Sequence, residues 1–154
     1  MYNIGNTVGY YTLQRMFVRW QRRAPAWWRQ EPHTRKSPPA SHTRKSPPAH
    51  WAAILVESVR VEGKPKQRHI AYLAGIKEDR LGELTGRCRF YMDVVATLDR
   101  LGNQVSAAER KQIETALMRK VLCPTWQEYQ EFNRHVIQVL GPGYARPVPE
   151  RWPR

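Results

Sequence analysis

The chain says one thing twice. "HTRKSPPAS", His33 to Ser41, is followed at once by "HTRKSPPAH", His42 to His50, and the two copies agree at eight of nine positions. Six prolines fall between Ala24 and His50: Pro25, Pro32, Pro38, Pro39, Pro47 and Pro48. Each lacks an amide donor and biases the residue before it away from helix, so the stretch reads as extended and solvated. Within a sheet, an insertion of this odd length would shift the register and turn core side chains outward. In a solvated loop, doubling the length costs only about 0.6 kcal/mol. The repeat therefore marks a place where the fold is indifferent to length. Residues 24–50 read as a linker, and the chain becomes foldable from Trp51. At 154 residues there is room for one domain with tails.

Charge follows the same division. Lys and Arg number 26 against 13 Asp and Glu, a net +13. Residues 1–50 hold +8 of it, residues 51–103 hold +2 and residues 104–154 hold +3. An excess of this size favours a polyanionic partner, because basic side chains displace condensed counterions when they meet phosphates. No apolar run is long enough to span a bilayer, and the opening "MYNIGNTVGYYTLQRMFVRW" has neither the basic start nor the continuous apolar core of a signal peptide. Cys88 and Cys123 are far apart and form no CxxC or Cys/His cluster. They read as small buried thiols of a reduced, cytoplasmic protein.

The fold class expected is α+β: a small antiparallel sheet of two or three strands, then two or three helices, with basic Pro-rich arms. Ile54 to Val61 and Gln67 to Ala74 form a hairpin across "EGKPK", where Gly63 supplies a positive φ and Pro65 lies outside either strand. The first strand is apolar on both faces at Ile54, Leu55 and Val56, which makes it the central or covered one. Plain alternation puts Ile70, Tyr72 and Ala74 on one face of the second strand and His69 opposite. An isolated hairpin is marginal, and Arg15 to Arg23, "RMFVRWQRR", is the candidate third strand. A helix is expected over about 88–101, with Cys88, Tyr91, Val94, Val95, Leu98 and Leu101 on one face and Gly102 as its cap. "SAAE" opens a second over 106–122, Ser106 and Glu109 forming a capping box, with Ile113, Leu117 and Val121 as its apolar line. "TWQE" repeats the device at Thr125 and Glu128 for a third over 125–140, striped by Trp126, Tyr129, Phe132, Val136, Ile137 and Leu140. Residues 51–140 form the domain on this reading, and 141–154 a Pro-rich tail.

Nothing in this pattern points to catalysis, to a metal or to a cofactor. His33, His42, His50, His69 and His135 have no metal-ligand spacing among them, Ser58 lacks the strand-turn-helix setting of a nucleophile, and Asp93 and Asp99 do not share a helix face well. Basic and aromatic groups do interleave. Arg19, Arg22 and Arg23 lie near Trp20, Trp27 and Trp28, joining phosphate-seeking charge to planar surface. Cover for the apolar surface of the folded domain is the reading that these tryptophans favour slightly over stacking on bases. Arg60, Lys64, Lys66 and Arg68 form a second basic cluster around the hairpin turn.

Leu55 to Ile76, "LVESVRVEGKPKQRHIAYLAGI", resembles a stretch near the start of certain bacterial insertion-sequence (DDE-type) transposases. Val56, Glu57, Ser58, Arg60, Gly63, Lys64, Gln67, Arg68, Tyr72 and Leu73 match that pattern, and Ala74 inserts one residue into its "YLG". "MFVRW", Met16 to Trp20, is similar to the way such proteins open, which would make residues 1–15 an extension. The resemblance implies a DNA-associated hairpin module. The family's catalytic carboxylates belong to a further domain for which this chain has no room, so no catalytic residue carries over. The function expected is non-enzymatic binding of nucleic acid, DNA before RNA, by a protein of mobile-element origin. Arg19, Arg22, Arg23, Arg60, Lys64, Lys66 and Arg68 would meet phosphate. No membrane and no small-molecule substrate is expected. Two alternatives stay open: a protein-interaction module using the hairpin edge and the stripe Trp126, Tyr129, Phe132 and Val136, or a decayed reading frame.

Overall fold

A computed structural model describes residues 15–23 and 48–145. Nearly all of the duplicated segment, Trp27 and Trp28, the first fourteen residues and the tail from residue 146 lie outside the described residues. Three strands form one antiparallel sheet in the order β1 (Arg15–Arg23), β2 (His50–Val61), β3 (Lys64–Lys77). Three helices follow: α1 (Leu84–Leu101), α2 (Ala107–Met118) and α3 (Trp126–Leu140). The fold is thus α+β, with β1 as the third strand that a lone hairpin needs and β2 at the centre.

β2 and β3 are joined by a two-residue turn, Glu62 at φ 53° and Gly63 at φ 76°. Positive φ at both positions is the type I′ arrangement, whose twist matches that of the flanking strands. Pro65 falls on β3, an edge strand, where its missing amide is tolerated.

β3 departs from plain alternation. The register with β2 shifts between Ala53 and Ile54 and again between Leu55 and Val56, so that Leu73 and Ile70 are extra residues on β3. Each bulge places two neighbouring side chains on one face. Leu73 and Ala74 are buried in the main core, and Ile70 packs against it. Tyr72, paired with Ile54, stands on the opposite face together with His69, paired with Val56. The expectation that Tyr72 shares a face with Ile70 and Ala74 is therefore corrected, because two bulges break the period between them.

The helices cover one face of this sheet. Ala53 and Leu55 of β2 meet Leu73, Ala74 and Ile76 of β3 and the α1 residues Phe90, Tyr91, Val94 and Leu98. Ile113, Leu117, Val121, Tyr129 and Phe132 close the core from α2, the segment after it and α3. α1 begins at Leu84, one turn before the apolar spacing announces it; Glu83 precedes it without a side-chain cap. α2 ends at Met118, earlier than its apolar line implies. Val121 is buried beyond the helix, and its carbonyl accepts a 2.6 Å hydrogen bond from Tyr91 Oη. Both capping boxes form: Ser106 Oγ accepts from the Glu109 amide at 3.3 Å, and Thr125 Oγ1 from the Glu128 amide at 3.2 Å. Trp20 stacks on Phe90 at 5.8 Å, and Lys120 lies 3.1 Å from the centre of Trp51 and 5.4 Å from that of Trp20. Trp20 therefore serves the core, and an α2-proximal cation ties it to the sheet.

Candidate nucleic-acid interface

None of the described helices packs on the other face of the sheet. Side chains alternate along β1 and β2, and the pairing register assigns Phe17, Arg19, Gln21 and Arg23 to this face with Ala52, Ile54, Val56 and Arg60. From β3 come His69, Tyr72, Gly75 and Lys77. Ala52, Ile54 and Val56 form a small buried cluster of their own, apart from the main core. Arg19 Nη1 donates to Gln67 Oε1 at 3.3 Å, spanning from one edge strand to the other. Phe17 stays 37 % exposed and Tyr72 43 % exposed, one on each edge strand.

Tyr72 has a fixed resting place. A Cβ on Gly75 would fall onto Tyr72 Oη and the His50 imidazole, 2.8 Å from His50 Nε2. The absent side chain at Gly75 thus lets the phenol and the imidazole lie close over the β3 backbone. Burial raises the Tyr72 phenol above its ordinary value, with Arg23 opposing and the Asp93 carboxylate of α1 adding to the rise, and burial with Arg23 and Lys77 lowers the His50 imidazole. Both rings are neutral at physiological pH. The charge of this face therefore comes from Arg19, Arg23, Arg60 and Lys77, all exposed, and no carboxylate of the three strands shares it.

The seven basic residues expected at an interface are not one cluster. Arg19, Arg23 and Arg60 share the open face. Lys64 and Lys66 flank the turn and are exposed. Arg22 faces the helical side, where its Nη2 pairs with Glu78 Oε2 at 3.3 Å and its guanidinium lies 6.0 Å from the Trp51 ring centre. Arg68 Nε donates to Glu57 Oε2 at 2.9 Å. That carboxylate is 1 % exposed, and its Oε1 has no hydrogen-bond partner among the described residues. Arg22 and Arg68 thus hold the fold together, although the Arg68 side chain remains 62 % exposed. The motif "VES…QR" is in large part a hairpin device: Glu57 and Arg68 are cross-strand partners, and Gly63 makes the turn.

Sequence reasoning missed Phe17, Tyr72 and Lys77. A signal for Phe17 existed, since alternation that buries Met16, Val18 and Trp20 puts Phe17, Arg19 and Arg23 together on the far side. None existed for Tyr72, whose face depends on the bulges.

The third helix offers a different surface. Tyr129 and Phe132 of the expected binding stripe are buried in the core, and Val136 packs against it. Trp126, Ile137, Val139 and Leu140 are the apolar groups that α3 exposes, with Leu122 before it and Tyr144 after it. A cleft of about 260 Å³ lies beside them, lined by Arg89, Met92, Asp93, Phe132 and Val136 among others.

No group of three or more His, Cys, Asp or Glu side chains placed for a metal ion occurs among the described residues. No described helix is long and apolar enough to cross a membrane. No known protein family, curated protein or solved structure was found to match the chain.

Proposed function

We propose that this chain is a non-enzymatic nucleic-acid-binding protein of cytoplasmic setting, related in its hairpin to the insertion-sequence transposases that Leu55 to Ile76 resembles. The observation that carries this reading is the separation of sign. Arg19, Arg23, Arg60 and Lys77 stand on a sheet face to which the three strands contribute no carboxylate, and Lys64 and Lys66 add positive charge beside the turn. Two acids of the sheet are engaged on the other side, Glu57 by Arg68 and Glu78 by Arg22, while Glu62 sits exposed in the turn beside Lys64. The residues ahead of His50, with +8 in the first fifty, add affinity that does not depend on sequence.

A labelled oligonucleotide titrated with the full chain tests the reading. With six cations on phosphates, affinity should fall about a thousandfold between ~50 and ~200 mM salt. Replacing Lys64 and Lys66 by Gln should weaken binding and flatten that salt slope. Absence of binding at low salt, or binding indifferent to salt, sinks the proposal.

A second reading has its own observation in its favour. The exposed apolar residues of α3 and its flanks fit contact with another protein chain. On that reading positive charge serves solubility, and the low-salt titration returns no binding.

A further inference from the structure

We infer that the open sheet face is a stacking platform for single-stranded nucleic acid, bases resting on Phe17 and Tyr72 and phosphates on Arg19, Arg23 and Lys77. The inference rests on the nucleic-acid reading above and narrows it to a class of strand. Three features carry it. Phe17 and Tyr72 are exposed aromatics on a surface that is otherwise small, neutral or cationic. Their positions are fixed by backbone pairing, not by loops: Phe17 pairs with Val56, and Tyr72 with Ile54. And the three strands add cations but no carboxylate on this side.

The spacing of the rings chooses the kind of strand. They stand on the two outer strands and two residues apart along the middle one, about 12 Å from each other by sheet dimensions. Successive bases of a duplex strand rise only about 3.4 Å, and their faces are covered by their neighbours. A base can lie on an aromatic ring only when that face is free, so both rings can be occupied only by an unstacked strand. Gly75 keeps the Tyr72 ring low over β3, which prepares a flat surface in advance of binding. Stacking on a π-face tolerates every base, so little sequence preference is expected.

The closing experiment uses the full chain with three probes: an oligothymidylate, the oligouridylate of equal length, and a DNA duplex of mixed sequence. Single strands should bind more tightly than duplex at equal salt, and the first two probes decide between DNA and RNA as the better ligand. Phe17→Leu and Tyr72→Leu, which keep apolar bulk and lose the π-face, should each weaken single-strand binding by at least about fivefold. Duplex binding should barely change, and Tyr72→Phe should keep wild-type single-strand affinity. Unchanged melting of the Leu variants certifies their fold; should either melt early, Phe17→Trp and Tyr72→Trp, which enlarge the π-face at the same exposed positions, should tighten single-strand binding and leave duplex binding unchanged, and no tightening counts against the inference. Equal affinity for single strand and duplex, with no effect of the Leu variants but a loss with Lys64→Gln and Lys66→Gln, overturns this inference and leaves the charge-based reading standing. That same result is what occupation of the face by residues 24–47 or by a protein chain would give. Failure of every probe to bind removes both readings together.

Discussion

Glu57 and Arg68 form an ion pair whose two ends live in different solvents, and the asymmetry yields a quantitative test. The Glu57 side chain is 1 % exposed, whereas that of Arg68 is 62 % exposed. Replacing Arg68 by Met leaves a buried carboxylate without its cation, with Oε1 already unpartnered among the described residues. Stranding one partner of a buried pair costs about 3–5 kcal/mol. Here water reaches the arginine end and screens the charge, so about 2–3 kcal/mol is the better figure. Glu57→Met works the other way. It removes a charge that folding had to dehydrate, keeps the volume, and returns Arg68 to water. The lost attraction and the relieved desolvation are of similar size, and stability should stay within about 1 kcal/mol of the parent.

Unfolding entropy turns these energies into temperatures. A folded unit of about a hundred residues changes its Tm by about 4–5 °C for each kcal/mol. Arg68→Met should therefore melt about 10 °C below the parent in a far-ultraviolet circular dichroism scan, and Glu57→Met within about 5 °C of it. Combining the two changes should recover most of what Arg68→Met alone loses. If Glu57→Met costs as much as Arg68→Met, or if the combined variant is no better than Arg68→Met, the carboxylate is not the buried partner and the argument fails.

Four shorter predictions concern a helix glycine, the two thiols and the repeat. Gly86→Ala gains helix propensity of about 1 kcal/mol, but its Cβ would sit 2.6 Å from the Arg80 carbonyl oxygen, so a net loss in thermal stability is expected and a raised Tm contradicts it. Burial drives the Cys88 thiol up to about 11 and the Cys123 thiol up to about 12 from the ordinary 9.0, so both should resist iodoacetamide at neutral pH until urea unfolds the chain. The unfolded thiols release protons that the folded ones keep, so their contribution to stability is intact below pH 9.0 and declines as pH rises toward 11, which urea titrations across that range will detect. Deleting residues 33–41 removes one copy of the repeat and leaves the pairing of Arg23 with His50 in place; Tm should move by less than about 3 °C, and a larger loss assigns that segment a part in packing.

The elements most legible in the sequence are those with a local chemical signature. Ser106 with Glu109 and Thr125 with Glu128 mark the starts of α2 and α3, because a cap is written in adjacent residues. α1 lacks such a mark. Glu83 makes no cap, and Gly86 in the first turn dilutes the helical pattern, so the helix shows only from Cys88 onward. The end of α2 is hidden for another reason. Val121 keeps the apolar spacing, yet a bond across the core from Tyr91 fixes it outside the helix. The edge of the repeat is nearly legible. Its copies differ only at Ser41 and His50, and His50 is the residue that enters β2, with Ala49 already buried before it. The fold thus reaches two residues ahead of Trp51, into the second copy.

The candidate interface was readable as charge and unreadable as geometry. A count of Arg and Lys selects Arg22 and Arg68 together with Arg19, Arg23 and Arg60, because composition cannot tell a cation paired with Glu78 or Glu57 from one facing water. What separates them is the parity of a strand, and parity survives only until a bulge. On β1 it runs unbroken, so Phe17, Arg19 and Arg23 follow from Met16, Val18 and Trp20. On β3 two single-residue bulges fall between His69 and Gly75. Each lets the strand give two successive side chains to the core, Ile70 with Ala71 and then Leu73 with Ala74, and then resume. Tyr72 lies between them and so is turned outward although its neighbours on both sides are apolar and inward. With the turn fixing the register, loss of the bulge at Ile70 would slip the rest of β3 by a residue and bring Tyr72 under the helices. The same irregularity therefore fills the core and sets an aromatic ring on the face that carries Arg23 and Lys77, which ties the integrity of the proposed platform to the packing of α1 beneath it.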